Sequence, residues 1–203
     1  MIKNIVFDLG GVLVPLNRSA CEDAFHAIGF EDFGKILNEY VQGGFFLEYE
    51  KGAITTGEFR DILRGYIENK VTNEEIDSAM GSFLEIISED KLELLISLKG
   101  RFRLYMLSNT NEIAMNVVRP FFNKGNLTIN DYFDHVFLSY EMRMAKPDSE
   151  IFEKMAIDAP FEPTETLFID DSPANIQTAQ ELGFKTLLFN RDMDLKTEVE
   201  KLI

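Results

Sequence analysis

The sequence predicts an α/β protein: a doubly wound parallel sheet carrying a small, all-helical insert. Two observations lead there. Short, nearly all-apolar segments alternate with one-sided helical stripes, as in sheets covered by helices on both faces. A long stretch between the first two of those segments shows helices and turns but no strand. A chain of 203 residues suits one main domain with an insertion.

The first apolar segment, Asn4 to Asp8, opens the sheet, and the others follow at Arg103 to Leu107, His135 to Leu138, Thr166 to Ile169 and Thr186 to Phe189. After Glu89 come Leu92, Leu95 and Ile96, with Gly100 as a stop. Ser172 is an N-cap candidate, followed by Pro173 at the first helical position, then Ile176, Ala179, Leu182 and a closing Gly183. Helices between strands imply a mainly parallel sheet with helices on both faces.

From about Asn17 to Glu85 the pattern changes. Thr55-Thr-Gly-Glu58 and Thr72-Asn-Glu-Glu75 have capping-box spacing, and each opens a helix. Phe59, Ile62, Leu63, Tyr66 and Ile67 form one stripe; Ile76, Ala79, Met80 and Phe83 form another, and both are assigned to packing. Gln42 to Gly52 reads as an aromatic and charged loop able to reach over a pocket, with Phe45 and Phe46 packed under the insert as the equal alternative. The expected division is therefore a sheet domain, 1–15 and 86–203, interrupted by a helical domain at 16–85.

Charge and composition narrow the function. Twenty Lys and Arg against 35 Asp and Glu leave a net charge of −15, so no surface for nucleic acid phosphates or an anionic membrane is expected. With 45% apolar residues and 18 Phe the chain can fill a core. A single Cys21, on a helix face where an inert thiol is expected, and no apolar run of bilayer length point to a cytoplasmic protein.

In an open parallel sheet, ligands bind beyond the carboxyl ends of the strands. Here those ends carry Asp8-Leu9-Gly10-Gly11, Ser108-Asn109-Thr110 and Asp170-Asp171-Ser172, while Lys146-Pro147-Asp148 follows the third strand. Singly, each is an ordinary turn or cap residue. Together they bring three carboxylates and a lysine to one rim, where like charges repel unless a cation joins them. Mg²⁺, with one or two carboxylates and a substrate phosphate among its ligands, fits Asp8 and Asp171 with Asp170 nearby. Lys146, Ser108 and Asn109 are then placed to meet the phosphate.

These motifs, in this order, resemble the haloacid dehalogenase (HAD) superfamily over the whole sheet domain, in the branch of sugar-1-phosphatases with a DLG motif. The resemblance implies a Rossmann-like core with a cap, an Asp8 nucleophile, and Mg²⁺ held by Asp8, the Gly10 carbonyl and Asp171. It also implies phosphate held by Ser108, Asn109 and Lys146, with Asp170 and Asn175 orienting the metal, its waters and Lys146. The expected activity is Mg²⁺-dependent hydrolysis of a small phosphate ester through an aspartyl phosphate. One departure stands out: Gly10 occupies the place of a second aspartate that serves most such phosphatases as general acid. The alternatives are a metal-free 2-haloacid dehalogenase acting through Asp8 and a non-catalytic binding protein. Arg143, where the family more often has glycine, is assigned no role, and solvent is its expected surrounding.

Overall fold

The computed structural model describes residues 1–34 and 44–203. Five parallel strands, β1 (Asn4–Phe7), β2 (Arg103–Ser108), β3 (His135–Leu138), β4 (Thr166–Asp170) and β5 (Lys185–Leu188), form one sheet in the order β3-β2-β1-β4-β5. The chain enters at the centre, builds outward to β3, then returns to β1's other side for β4 and β5. Strand order therefore reverses beside β1, the position where a crevice opens at the strands' carboxyl ends.

The three central strands are buried on both faces because their side chains alternate between two apolar layers. Ile5, Phe7, Leu104, Met106, Leu167 and Ile169 join one cluster, and Val6, Tyr105, Leu107 and Phe168 join the other. The edge strand β5 departs from the expected double cover: Lys185 is exposed and Leu188 is 44% exposed. In the helix Glu89–Lys99, Leu92, Leu94, Leu95 and Leu98 face the core, and Ile96, expected there, is 49% exposed.

Between Arg18 and Gly81 the described residues form helices and no strand, at Arg18–Ala27, Gly44–Glu50, Thr56–Arg64 and Asn73–Gly81. Both capping boxes form: Thr55 and Thr72 accept from the N–H groups of Glu58 and Glu75, whose carboxylates accept in return. The insert has its own core, in which Phe25 stacks on Phe33 with centroids 3.8 Å apart and Phe46 meets Phe59 edge-on at 5.3 Å. Two antiparallel connections tie it to the sheet, where Asn17 N–H donates to Phe83 O and Glu85 N–H to Pro15 O.

The stretch expected as a loop is instead helical over Gly44–Glu50; Gln42 and Gly43 lie outside the described residues. Phe45, Phe46 and Tyr49 are buried against partners far away in sequence, so tertiary aromatic packing overrides weak local signals. Phe45 and Phe46 are packed in the insert, and Phe46 also lines the cavity, so both readings hold in part. This helix also docks the insert. The Tyr49 hydroxyl accepts from Ile113 N–H at 3.3 Å and lies 3.0 Å from the Thr56 hydroxyl. Lys51 pairs with Asp148 at 2.8 Å.

Candidate active site

β1 ends where its apolar run gives way to Asp8, whose own N–H still donates to Ile169 O of β4. That bond extends the parallel ladder by one residue and fixes the carboxylate at the rim. Asp8 Oδ1 accepts from Leu9 N–H at 2.7 Å and pairs with Lys146 Nζ at 2.9 Å. The chain then turns back tightly, with Gly11 at φ +76°, a left-handed conformation that glycine adopts freely. A β-carbon there would lie 2.1 Å from Asp171 Oδ2, so the turn and this carboxylate occupy touching space.

Lys146 is 4% exposed and is the electrostatic centre of the site. Its Nζ donates to Asp170 Oδ2 at 2.6 Å and to Leu107 O at 3.0 Å, besides pairing with Asp8. Burial alone would lower its pKa, but the Asp8 and Asp170 carboxylates outweigh that and hold it raised. Asp170, fully buried, also accepts from Ser172 N–H at 2.8 Å and Asn175 Nδ2 at 2.9 Å through Oδ1. The Ser172 side chain makes no N-cap bond, so the expected cap is replaced by this backbone contact to Asp170.

Two sequence expectations are refined here. The Asn109 amide faces the Lys146 backbone: its Nδ2 donates to Lys146 O and its Oδ1 accepts from Lys146 N–H, both at 2.8 Å. It therefore fixes the lysine's backbone, with one amide N–H left over for a phosphate oxygen. Neither Ser108 nor Asn109 caps the following helix; Asn111 does, accepting from Ala114 N–H. Arg143 is exposed at φ 57°, at the end of the short helix Ser139–Met142, a conformation in which glycine carries no strain. Solvent is its surrounding, as expected.

Carboxylate oxygens of Asp8, Asp170 and Asp171 all come within 4.8 Å of one another. Lys146 bridges Asp8 and Asp170, leaving the approach between Asp8 and Asp171 to another cation. Burial, reinforced by the Asp170 charge, raises the pKa of both Asp8 and Asp171, with Lys146 opposing. Clustered carboxylates that Lys146 only partly compensates are a donor set suited to a hard divalent cation.

Above these groups lies a cavity of about 360 Å³ between the strand ends and the helical insert. Asp8, Gly10, Ser108, Asn109, Lys146, Asp171 and Asn175 all reach it; Asp170 lies beneath, behind Lys146. The insert contributes Phe46, Met80, Phe83, Cys21 and Glu50. Burial pushes Cys21 to about 12 and Glu50 to about 7, the latter opposed by Lys146. Glu50 lies in the stretch expected to reach over a pocket, but was not singled out there as a site residue.

Residues 2–183 match the haloacid dehalogenase-like hydrolase model, and the chain belongs to that family. It is 37% identical to D-ribitol-5-phosphate phosphatase of Bacteroides thetaiotaomicron, over 100% of this chain and 99% of that one. A HAD family enzyme from the same organism, solved as an Asp-to-Ala variant with magnesium and inorganic phosphate, superposes with a TM-score of 0.95 at 42% identity, covering 98% and 99% of the two chains. A Porphyromonas gingivalis protein described as a predicted HAD-like family hydrolase gives 0.92 at 40%, covering 100% and 98%. These relatives support the reading of the chain as a magnesium-dependent phosphatase. No helix among the described residues is long and apolar enough to cross a membrane.

Proposed function

We propose that the protein hydrolyses a small phosphorylated polyol or sugar, with Asp8 as nucleophile. The observation that carries this is the convergence of the Asp8, Asp170 and Asp171 carboxylates around one point on the floor of a cavity, with Lys146 beside them. The named substrate of the 37% identical relative is an open-chain pentitol phosphate. A pentitol or a related sugar phosphate is therefore the leading class, with sugar 1-phosphates retained as candidates.

Asp8, Asp171 and the Gly10 carbonyl would hold Mg²⁺, which when bound neutralises the carboxylates and the phosphate oxygens. Asp8 attacks phosphorus in line, forming an aspartyl phosphate as the alcohol departs, and water then releases inorganic phosphate. Lys146 meets the phosphate charge, a task for which Asp170, Asn175 and Asn109 position it. Ser108 Oγ, 3.4 Å from Asn109 O and only weakly committed there, donates to a phosphate oxygen. Residues 16–85 act as the cap that closes over the site, on a core of 1–15 and 86–203. A cavity of about 360 Å³ suits a metabolite better than a protein side chain. A lone buried thiol is compatible with a reducing cytoplasm.

The test is a panel of pentitol, hexitol and sugar phosphates, with one 2-haloacid, assayed with Mg²⁺ and after chelation. Phosphate release that requires Mg²⁺ and vanishes in Asp8→Asn, with an unchanged circular dichroism spectrum, is the expected result. Metal-independent halide release, or an Asp8→Asn variant that keeps its activity, would overturn it.

A further inference from the structure

Gly10 has no side chain with which to move a proton, yet an alkoxide leaving a phosphate needs one. The donor has to stand opposite Asp8, on the side of the cavity where the ester oxygen departs, and that side is the insert. There the described lining is apolar, from Phe33, Phe46, Met80 and Phe83, except for Cys21 and Glu50. Cys21, pushed to about 12, is too weak an acid for the task at neutral pH. Glu50 remains.

Its position is well fixed. Glu50 ends the helix Gly44–Glu50, which Phe45, Phe46 and Tyr49 anchor in the insert's aromatic core. On one side of it Tyr49 is bonded to Ile113 N–H, and on the other Lys51 is paired with Asp148, so both neighbours tie this turn to the sheet domain. Among the described residues, the titratable groups that line the same cavity are Lys146, Asp8 and Asp171 and, from the insert, Cys21; of these the Lys146 charge acts on Glu50.

We propose that Glu50 is the general acid and base of this reaction, doing from the cap what an aspartate at position 10 does in most phosphatases of the family. The proposal rests on the aspartyl-phosphate reading above. In the first half, the bond from Asp8 to phosphorus forms as the ester P–O bond breaks, and the Glu50 carboxyl proton passes to the departing alcohol oxygen. In the second, water oxygen bonds to phosphorus as the Asp8–phosphorus bond breaks. Glu50 carboxylate takes the water's proton, and phosphate leaves with Asp8 free and Glu50 protonated again. A carboxyl raised to about 7 populates both forms near neutrality, as an alternating acid and base requires.

The test compares Glu50→Gln with the unsubstituted protein on two esters: the alkyl phosphate of the panel that is turned over fastest, and p-nitrophenyl phosphate, whose leaving group needs no proton. On the alkyl ester kcat should fall roughly 10²- to 10⁴-fold with KM changed only a few-fold. On the aryl ester a burst of nitrophenolate equal to the enzyme should precede slow turnover, with phosphate trapped on Asp8. A loss under threefold on the alkyl ester, a loss carried by KM, or an equal loss on both esters without a burst would overturn the assignment. Thermal melts confirm that the variant is folded. Failure of the parent reading looks different: the unsubstituted protein itself releases no phosphate, or Asp8→Asn remains active, and both proposals then fall.

Discussion

A β-carbon on Gly11 would stand 2.1 Å from Asp171 Oδ2, so the turn after β1 and the carboxylate after β4 are fitted to each other with no room for a methyl group. Gly11→Ala should therefore do two things. Holding alanine at φ +76° costs about 1 kcal/mol of backbone strain, which lowers Tm by roughly 2–4 °C at this chain length. More importantly, the methyl displaces Asp171 from the carboxylate cluster. The Mg²⁺ concentration for half-maximal activity should rise about tenfold or more, read by metal titration of phosphate release. A variant with wild-type metal dependence would show that Asp171 does not act through this geometry.

Asp170 offers a second, separable prediction, because it has no access to the cavity and works only through its partners. Its removal in Asp170→Ala leaves the Lys146 ammonium with one carboxylate, and it strips the Asn175 amide and Ser172 N–H of their acceptor. Breaking a buried ion pair this way costs about 3–5 kcal/mol, a fall in Tm on the order of 10 °C. Asp170→Asn keeps the shape and most of the hydrogen bonds but not the charge, so it should lose less stability while still losing most of its turnover. Melting curves and steady-state rates on both variants distinguish the two contributions.

These relationships were legible in the sequence to different depths. The strands could be read because buried parallel strands are apolar on both faces, and the residues just past Phe7, Leu107 and Ile169 announce the rim chemistry. The edge strand β5 was read as buried because Thr186 to Phe189 looks like the rest, although Lys185 and Leu188 are exposed. Glu50 sat in a stretch expected over the pocket but was not singled out, for a different reason. The helix that carries it begins on a glycine and owes its stability to Phe59 and other aromatic residues distant in the chain, which no local pattern encodes. Phe45, Phe46 and Tyr49 at one-and-four spacing, with Gly52 as a stop, were the available signal. The dual use of Asn109 was equally hidden, since only folding brings the Lys146 backbone to its amide.

Gly52 predicts how the insert is seated. It adopts φ +60°, and a β-carbon there would meet Tyr140 O at 2.2 Å, a backbone atom with no freedom to swing away. Gly52→Ala should tilt the insert off the sheet domain at this point while leaving its aromatic core intact. The expected outcome is a several-fold rise in KM and faster proteolysis near residue 52. By contrast Lys51→Ala removes a pair with side chains 33% and 55% exposed, worth at most about 1 kcal/mol. It should change Tm little, and a large loss there would show that the pair, not the close glycine contact, seats the insert.

The last prediction tests the burial of Glu50 without any substrate. Its folded pKa is raised from 4.5 to about 7 by burial, against the opposing pull of Lys146. Between those values the folded chain binds a proton that the unfolded chain has released, so this group's contribution to stability is present below pH 4.5 and is lost as pH rises through 7. The rise of about 2.5 units, at ~1.4 kcal/mol each, caps the loss at about 3 kcal/mol. Glu50→Gln carries no charge in either state and escapes it. In metal-free urea titrations the variant should match the unsubstituted protein near pH 4.5 and exceed it by up to about 3 kcal/mol at pH 8. An advantage that is the same at both pH values would mean the carboxylate is already solvated in the folded protein.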